Sequence, residues 1–390
     1  MESSRSQISS VCRSCGDEID WEGREKRCPK CGAWPTVPFG QQDQLPKLEG
    51  PPPGTSMWAF DALLPYRSED AISLGEGGTP IVNCPKVASS YDVGELWIKD
   101  EGQNPTGSIR DRELSLAASD AVTRGTKRAS LVAPGAAVQS FGAYAARTDL
   151  EGIAGLPARA PFQRKAMANV HGLDLTVVRG RLQETRDTFA ERRASEDLGR
   201  PFDAFQNPFR HAGARTLAAE ISAFFDGSQP EAIVVPTGSG TVLVGLYEGL
   251  QKLVEWDVLD QVPRLYAVQP TGCAPIADAA RLGAAIDSYT TPDTVCGELE
   301  DPNPRGGKWA LEVLAESGGG GITVTDDDIL DAGIEVARKS GLEIGIAAAA
   351  GPAGVKKLRE NGVLSSNSRV LVIGTGTGGA DLLRSRLDVQ

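Results

Sequence analysis

Residues 99–112 read K-D-E-G-Q-N-P-T-G-S-I-R-D-R, and they follow the short apolar run Leu96, Trp97 and Ile98. An alternating, helix-like segment comes after them. Asn, Pro, Thr, Gly and Ser at 104–108 are typical of a turn, and a serine at its end can cap a helix. The stretch therefore predicts a strand, a turn and a helix whose first turn presents Arg110.

The remaining chain repeats this alternation over about 300 residues, which predicts an α/β fold with parallel sheets and helices on both faces. Strands are predicted at 129–133, 175–178, 232–235, 265–268 and 370–373. Helices are predicted at 136–147, 182–196, 214–225, 242–254, 326–339 and 353–360. Sheets of this kind bind ligands at the carboxyl ends of their strands.

Four of the seven cysteines form two C-x-x-C pairs, Cys12 with Cys15 and Cys28 with Cys31. Four thiolates in two such pairs predict a closed tetrahedral zinc site of structural type, within a zinc ribbon over residues 1–45. Disulfides or free thiols are the alternative. The Pro-rich residues 46–54 are expected to be a linker, and the main fold is expected over 55–390.

Two glycine-rich loops follow predicted strands. The first contains Gly238, Ser239, Gly240 and Thr241 before a helix, which predicts phosphate binding by loop amides and hydroxyls; a tight strand-to-helix turn is the alternative. The second, residues 374–381, contains G-x-G-x-x-G. Only about ten residues follow it, too few for a dinucleotide-binding unit, so a turn before a short helix is its plain interpretation.

The 99–112 stretch resembles the N-P-T-G-S-F-K-D-R segment of threonine synthases, members of the tryptophan-synthase-beta-like, fold type II family of pyridoxal-phosphate enzymes. Residues 74–80, L-G-E-G-G-T-P, and the closing glycine-rich loop are similar to further segments of that family. The resemblance implies two parallel-sheet α/β domains flanking a cleft, with a smaller nested domain at about 110–205. It also implies a homodimer, a zinc ribbon in some members, and Thr375 beside the pyridine nitrogen of the cofactor.

The resemblance breaks at residues that carry the chemistry. The family's Schiff-base lysine is Arg110 here, and a guanidinium stays protonated and cannot condense with an aldehyde, so Arg110 is not expected to be catalytic. The family's ring-contacting Asn is Ala136, and its Glu and Ser are Gly345 and Ala348. Lys99 is expected to be exposed or to pack its stem, and the isolated His211 is expected to be structural.

These departures favour a catalytically degenerate threonine-synthase-like protein that binds a small phosphorylated or carboxylated ligand in the cleft, without an internal aldimine. One alternative is an active pyridoxal-phosphate lyase of amino-acid metabolism that converts O-phosphohomoserine to threonine and phosphate, or performs a related elimination or replacement. The other is a non-enzymatic regulatory or scaffold subunit in which the ribbon docks a partner.

The charge of the chain limits its partners. Acidic residues outnumber basic ones by 52 to 40, giving a net charge of -12, and this balance disfavours nucleic acid as a partner. A salt-rich cytoplasm and an ordinary acidic protein are both compatible with it. The polar first ten residues and the lack of a long apolar run predict a cytoplasmic protein without a membrane span.

Overall fold

A computed structural model describes residues 8–19, 21, 27–40 and 55–378. The predicted linker at 46–54 and the last residues of the 374–381 loop lie outside this part of the chain. The strands are β1 (Ser10–Cys12), β2 (Glu18–Ile19), β3 (Pro35–Thr36), β4 (Ile81–Asn83), β5 (Glu95–Asp100), β6 (Arg128–Val132), β7 (Glu151–Pro157), β8 (Asp174–Val178), β9 (Arg200–Pro201), β10 (Ala232–Pro236), β11 (Arg264–Pro270), β12 (Gly320–Val324) and β13 (Arg369–Gly374).

The α-helices lie between these strands and follow them along the chain. They are α1 (Pro85–Tyr91), α2 (Arg110–Thr123), α3 (Ala136–Ala146), α4 (Phe162–Val170), α5 (Leu182–Ser195), α6 (Pro208–Gly213), α7 (Thr216–Phe225), α8 (Thr241–Glu255), α9 (Pro275–Leu282), α10 (Gly307–Glu316), α11 (Asp326–Ser340) and α12 (Ile346–Glu360). Among the described residues, no helix is both long enough and apolar enough to cross a membrane.

The chain divides into two compact units, of which unit 1 consists of residues 1–78 and 110–219. It holds a small antiparallel sheet in the order β2-β1-β3 and a parallel sheet in the order β8-β7-β6-β9. Its core is rich in aromatic side chains, among them Trp58, Phe141, Tyr144, Phe202 and Phe209. The small amino-terminal sheet contributes Trp21 and Val37 to this core, so it is packed into unit 1.

Unit 2 consists of residues 79–109 and 220–390. Its sheet has the order β12-β11-β10-β13-β5-β4, with every neighbouring pair parallel except β4 and β5. All five residues of β10 are buried, as expected for a parallel strand covered on both faces. Helix α12 approaches the sheet closely, because Cβ atoms added at Gly351 and Gly354 would lie 2.4 Å from Val372 and Val268.

The predicted α/β fold with parallel sheets is confirmed, and the structure corrects one helix boundary. Helix α12 begins at Ile346, seven residues before the predicted start at 353, and contains Pro352. A proline removes one intrahelical N–H and usually ends a helix, so Pro352 is an unusual residue within α12. Here close packing of small residues against the sheet offsets the missing hydrogen bond.

Candidate functional site

Three loops of unit 2 leave the carboxyl ends of the neighbouring strands β10, β13 and β5. They are residues 237–240 after β10, 375–378 after β13, and 101–109 after β5. The register pairs Val234 with Val372, so Pro236 at the end of β10 lies level with Gly374 at the end of β13. Since neighbouring strands are about 4.8 Å apart, the predicted phosphate loop and Thr375 emerge side by side.

The first loop is built to bring backbone amides to a helix start. Gly240 is the residue before α8 and has φ +93°, a left-handed conformation that favours glycine. Among the described residues, no group accepts a hydrogen bond from the amides of Gly238, Ser239 or Gly240. Buried amides without an acceptor cost free energy, and amides at the positive end of a helix are the kind of group that can bind an anion, so the predicted role of this loop stays a prediction.

The other two loops are hydrogen bonded to each other. The Thr377 amide donates to the Gly107 carbonyl at 2.9 Å, and the Ile109 amide donates to the Thr375 carbonyl at 3.0 Å. Gly107 has φ +75°, which the tight N-P-T-G-S turn requires. The Thr375 hydroxyl is partly exposed and bonds to no group in the described residues, so it remains available to a ligand beside Gly238–Thr241.

Gly345 lies against the same closing loop. Its amide donates to the Gly376 carbonyl at 2.8 Å, and a Cβ built on it would lie 2.8 Å from that oxygen and from the Thr377 carbonyl carbon. Backbone atoms occupy the space that a side chain would need. A glutamate at 345 would therefore displace the closing loop.

Lys99 lies at the carboxyl end of β5 and is fully buried, so of the two expectations, an exposed position or packing of its stem, the exposed position is wrong. Its Nζ donates to Glu220 Oε2 and to the Thr79 carbonyl, each at 2.6 Å, and lies 3.9 Å from Glu101 Oε1. Glu101 in turn accepts from Thr79 Oγ1 at 2.5 Å and from Asn104 Nδ2 at 2.7 Å. This buried network supports the turn at 104–108 from beneath.

Arg110 is the first residue of α2 in unit 1 and is paired with Glu113 one turn later, at 19% exposure of its side chain. Glu113 is fully buried and accepts a second arginine, Arg210 of α6, through its other oxygen. Arg210 also donates to the Phe202 carbonyl at 3.0 Å. Burial lowers the pKa of Arg210, and the nearby Glu113 carboxylate opposes that change by favouring the charged guanidinium.

Two further predicted positions have no polar group to offer. Ala136 is the first residue of α3 in unit 1, and Ala348 lies inside α12 in unit 2; both are buried. His211, which was expected to be structural, is fully buried, lies 3.2 Å from Thr36 Oγ1 through Nε2, and stacks on Phe205.

The four paired cysteines meet at one point in the amino-terminal sheet. Sulfur–sulfur distances are 3.4 Å for Cys12 and Cys31, 3.6 Å for Cys15 and Cys28, and 3.8 Å for Cys15 and Cys31. A tetrahedral zinc ion with zinc–sulfur bonds of about 2.3 Å requires sulfurs about 3.8 Å apart. The four sulfurs lie within 4.8 Å of one another and form no disulfide in this structure, an arrangement compatible with a bound metal ion.

Sequence reasoning missed three buried residues. Glu113 pairs with Arg110 and Arg210, and Glu220 pairs with Lys99. The spacing of Arg110 and Glu113 matches an i,i+3 ion pair on a helix and could have suggested the first contact. No local signal connects Glu113 to Arg210, which is 97 residues away, or Lys99 to Glu220, which is 121 residues away.

Comparison with known proteins gives a consistent family. The model of a family described as pyridoxal-phosphate dependent enzyme matches residues 72–376. The threonine synthase of Methanosarcina acetivorans is 30% identical over 94% of this chain and 90% of its own length. The threonine synthase of Methanocaldococcus jannaschii is also 30% identical, over 94% of this chain and 91% of its own length.

Solved structures share the fold at lower identity. An L-serine ammonia-lyase from Rhizomucor miehei superposes with a TM-score of 0.68 at 19% identity, covering 79% of this chain and 96% of that one. The processed threonine deaminase isoform 2 from Solanum lycopersicum gives a TM-score of 0.64 at 16% identity, covering 79% of this chain and 82% of that one. These likenesses concern the architecture alone.

Proposed function

The chain belongs to the family of pyridoxal-phosphate dependent enzymes and is related to threonine synthases, and from this premise we propose that it binds a small phosphorylated or carboxylated ligand without forming a Schiff base. The ligand's anionic group lies on the amides of Gly238–Gly240, and the Thr375 hydroxyl contacts it from the neighbouring strand. Chemistry that needs a lysine imine is absent from this function.

Pyridoxal phosphate, the family's cofactor, has a phosphate and an aldehyde that make different demands on the protein. The phosphate requires several donors at a helix start, and the loop before α8 supplies them. The aldehyde requires a neutral primary amine. Arg110 cannot provide one, and the Nζ of Lys99 is buried in an ion pair with Glu220. The residues present fit the phosphate and do not fit the covalent linkage.

The proposal depends on two features observed together. The loop that can bind an anion is intact, and the position where the family has a side chain near the cofactor ring has no space for one. The amides of Gly238, Ser239 and Gly240 have no protein acceptor among the described residues, whereas Gly345 has no room for a side chain. The loop that can bind an anion and the position that lacks a side-chain contact are separate features at the same edge of the sheet. This combination supports retention of a ligand in the absence of the family's reaction.

We also propose that Cys12, Cys15, Cys28 and Cys31 hold a structural zinc ion. The sulfur–sulfur distances support this assignment, and four thiolates leave no coordination position open for water or substrate. The metal would stabilise the small sheet β1–β3 and take no part in a reaction.

Titration calorimetry of the full-length protein with pyridoxal phosphate and, separately, inorganic phosphate tests the anion site. Gly240→Ala introduces a Cβ at φ +93° beside the loop, and we expect it to weaken binding of both probes at least tenfold. Gly283→Ala is the matched control, since Gly283 also has positive φ but ends α9 with nothing near its Cβ position. Equal effects of the two variants, or no binding by the unaltered protein, would contradict the site.

Borohydride treatment of the complex with pyridoxal phosphate, followed by peptide mass mapping, tests the absence of a covalent link. We expect no lysine to carry a reduced pyridoxyl group. A stoichiometric adduct on one lysine, together with release of phosphate from a phosphohomoserine-like substrate, would instead establish an active enzyme of the family and overturn the proposal.

A further inference from the structure

Glu113 occupies an unusual position for a carboxylate, because it is fully buried one turn from the start of α2 and contacts two arginines. One oxygen accepts Arg110 Nη1 and the other accepts Arg210 Nη2 from α6. All three groups belong to unit 1. Two guanidinium groups, one on each oxygen, compensate the charge of this buried carboxylate.

This carboxylate would act on any residue at position 110. Residues three apart on a helix are neighbours, so a lysine placed at 110 can reach Glu113 as Arg110 does. An opposite charge within about 4–6 Å favours the charged form of an amine, by one or more pKa units for a partly buried pair. Each unit lowers the neutral, reactive fraction of the amine tenfold.

We propose that Glu113 is a second barrier to imine chemistry, a positioning residue that would hold a lysine at 110 protonated and bonded to its carboxylate. The inference rests on the proposed function, which assigns the lost lysine to position 110. It extends that function by predicting that restoring the lysine alone does not restore the linkage. Arg110 and Glu113 act as one unit, and both must change.

The test compares Arg110→Lys with the double variant Arg110→Lys/Glu113→Gln. Purified full-length proteins are incubated with pyridoxal phosphate and reduced with borohydride. The amine and the aldehyde condense to an imine with loss of water, and hydride addition with a proton converts the imine to a stable secondary amine. We expect about tenfold or more trapped adduct on the introduced lysine in the double variant than in Arg110→Lys, from the loss of at least one unit of pKa elevation.

The same helix offers a matched control. Asp120 is a second fully buried carboxylate of α2, and it too contacts two arginines, Arg124 and Arg200. It is ten residues from position 110, about 15 Å along the helix axis. Arg110→Lys/Asp120→Asn removes a comparable charge and should trap no more adduct than Arg110→Lys, so a general loosening of unit 1 is separated from a specific effect of Glu113.

Loss of Glu113 leaves Arg210 buried without its carboxylate, which can prevent folding. If circular dichroism shows that the double variant is unfolded, the triple variant that adds Arg210→Met is used in its place. This change removes the buried arginine charge together with the carboxylate. Equal trapping by Arg110→Lys and by the folded double or triple variant would overturn the role of Glu113 and leave the proposed function intact. Trapping by the unaltered protein would overturn the proposed function itself.

Discussion

Lys99 contributes the only lysine ammonium to a buried network that also contains the carboxylates of Glu101 and Glu220, within the described part of unit 2. We expect Lys99→Met to lower the free energy of unfolding by about 3–5 kcal/mol, since it leaves Glu220 buried without its charged partner. Urea denaturation followed by circular dichroism measures the change.

A second substitution separates the charge from the packing of the Lys99 stem. In Lys99→Met/Glu220→Gln the uncompensated carboxylate is removed, so the double variant should be more stable than Lys99→Met alone. If both variants lose the same free energy, packing and not the ion pair accounts for the buried position.

At this scale, the sequence predicted groups whose role depends on local backbone and missed groups whose role depends on distant partners. Gly240 and Ser239 were predicted as ligand contacts because a strand, a glycine-rich loop and a helix follow one another in the chain; the order of these elements is confirmed, and the contact stays a prediction. Lys99 was expected to be exposed or to pack its stem, and its ion pair was missed because the partner Glu220 is 121 residues away. Long-range ion pairs leave no periodic pattern in a single sequence.

At the scale of elements, the start of α11 depends on a reciprocal cap. The Thr325 hydroxyl accepts the Asp328 amide at 3.1 Å, and the Asp328 carboxylate accepts the Thr325 amide at 3.0 Å. Helix α11 packs against α12, whose amino end carries Gly345. The cap therefore supports the element that contacts the closing loop.

We expect Thr325→Ala to lower the free energy of unfolding by about 1 kcal/mol, while Thr325→Ser retains the hydroxyl and most of the stability. The hydrogen bonds from Thr325 lower the pKa of Asp328 below its ordinary value of 3.8. A carboxyl with a lowered folded-state pKa stabilises the fold above 3.8 and loses that contribution as the pH falls through the folded-state value.

Asp328→Asn tests this dependence by urea denaturation at several pH values. The variant should be less stable than the unaltered protein near neutral pH, and the difference should shrink as the pH falls below 3.8. A difference that is independent of pH would mean that the ionised carboxylate is not what stabilises the helix start.

The bounds of some elements could be predicted from the sequence, and those of others could not. Strands β10 and β13 were predicted almost to their ends, since apolar runs bounded by glycine have few other interpretations. The start of α12 was misplaced by seven residues, and the helix is held where Gly351 and Gly354 pack on the sheet. Contacts of that kind appear only when the strands are in place.

At the scale of the whole molecule, the amino-terminal sheet is joined to the rest of unit 1 through several kinds of contact. Trp21 is 2% exposed and packs 5.6 Å from the Phe209 ring, with the Arg200 guanidinium 4.1 Å from its own ring. Thr36 lies 3.2 Å from His211 Nε2 and accepts Arg215 Nη2 at 3.0 Å. Such contacts make the sheet part of the core and leave less of it to dock a partner.

Helix α6 connects this sheet to the Arg110 cluster, because consecutive residues of the helix face each of them. His211 contacts Thr36 of the small sheet, and Arg210 contacts Glu113 of α2. One peptide bond therefore joins the residue that contacts the small sheet to the residue that contacts Glu113.

Removal of the metal with a chelator should consequently affect more than β1–β3. Without the cation no metal–sulfur bonds hold the four cysteines together, so we expect the sheet to open, Trp21 fluorescence to shift to longer wavelength, and the melting temperature to fall. Zinc added back should restore both signals. The Cys15→Ser variant, with one ligand missing, should resemble the chelated protein and respond little to chelator. If chelation leaves the fluorescence and the melting temperature of the unaltered protein unchanged, the packing of Trp21 and Val37 alone holds the sheet, and the metal has no structural role.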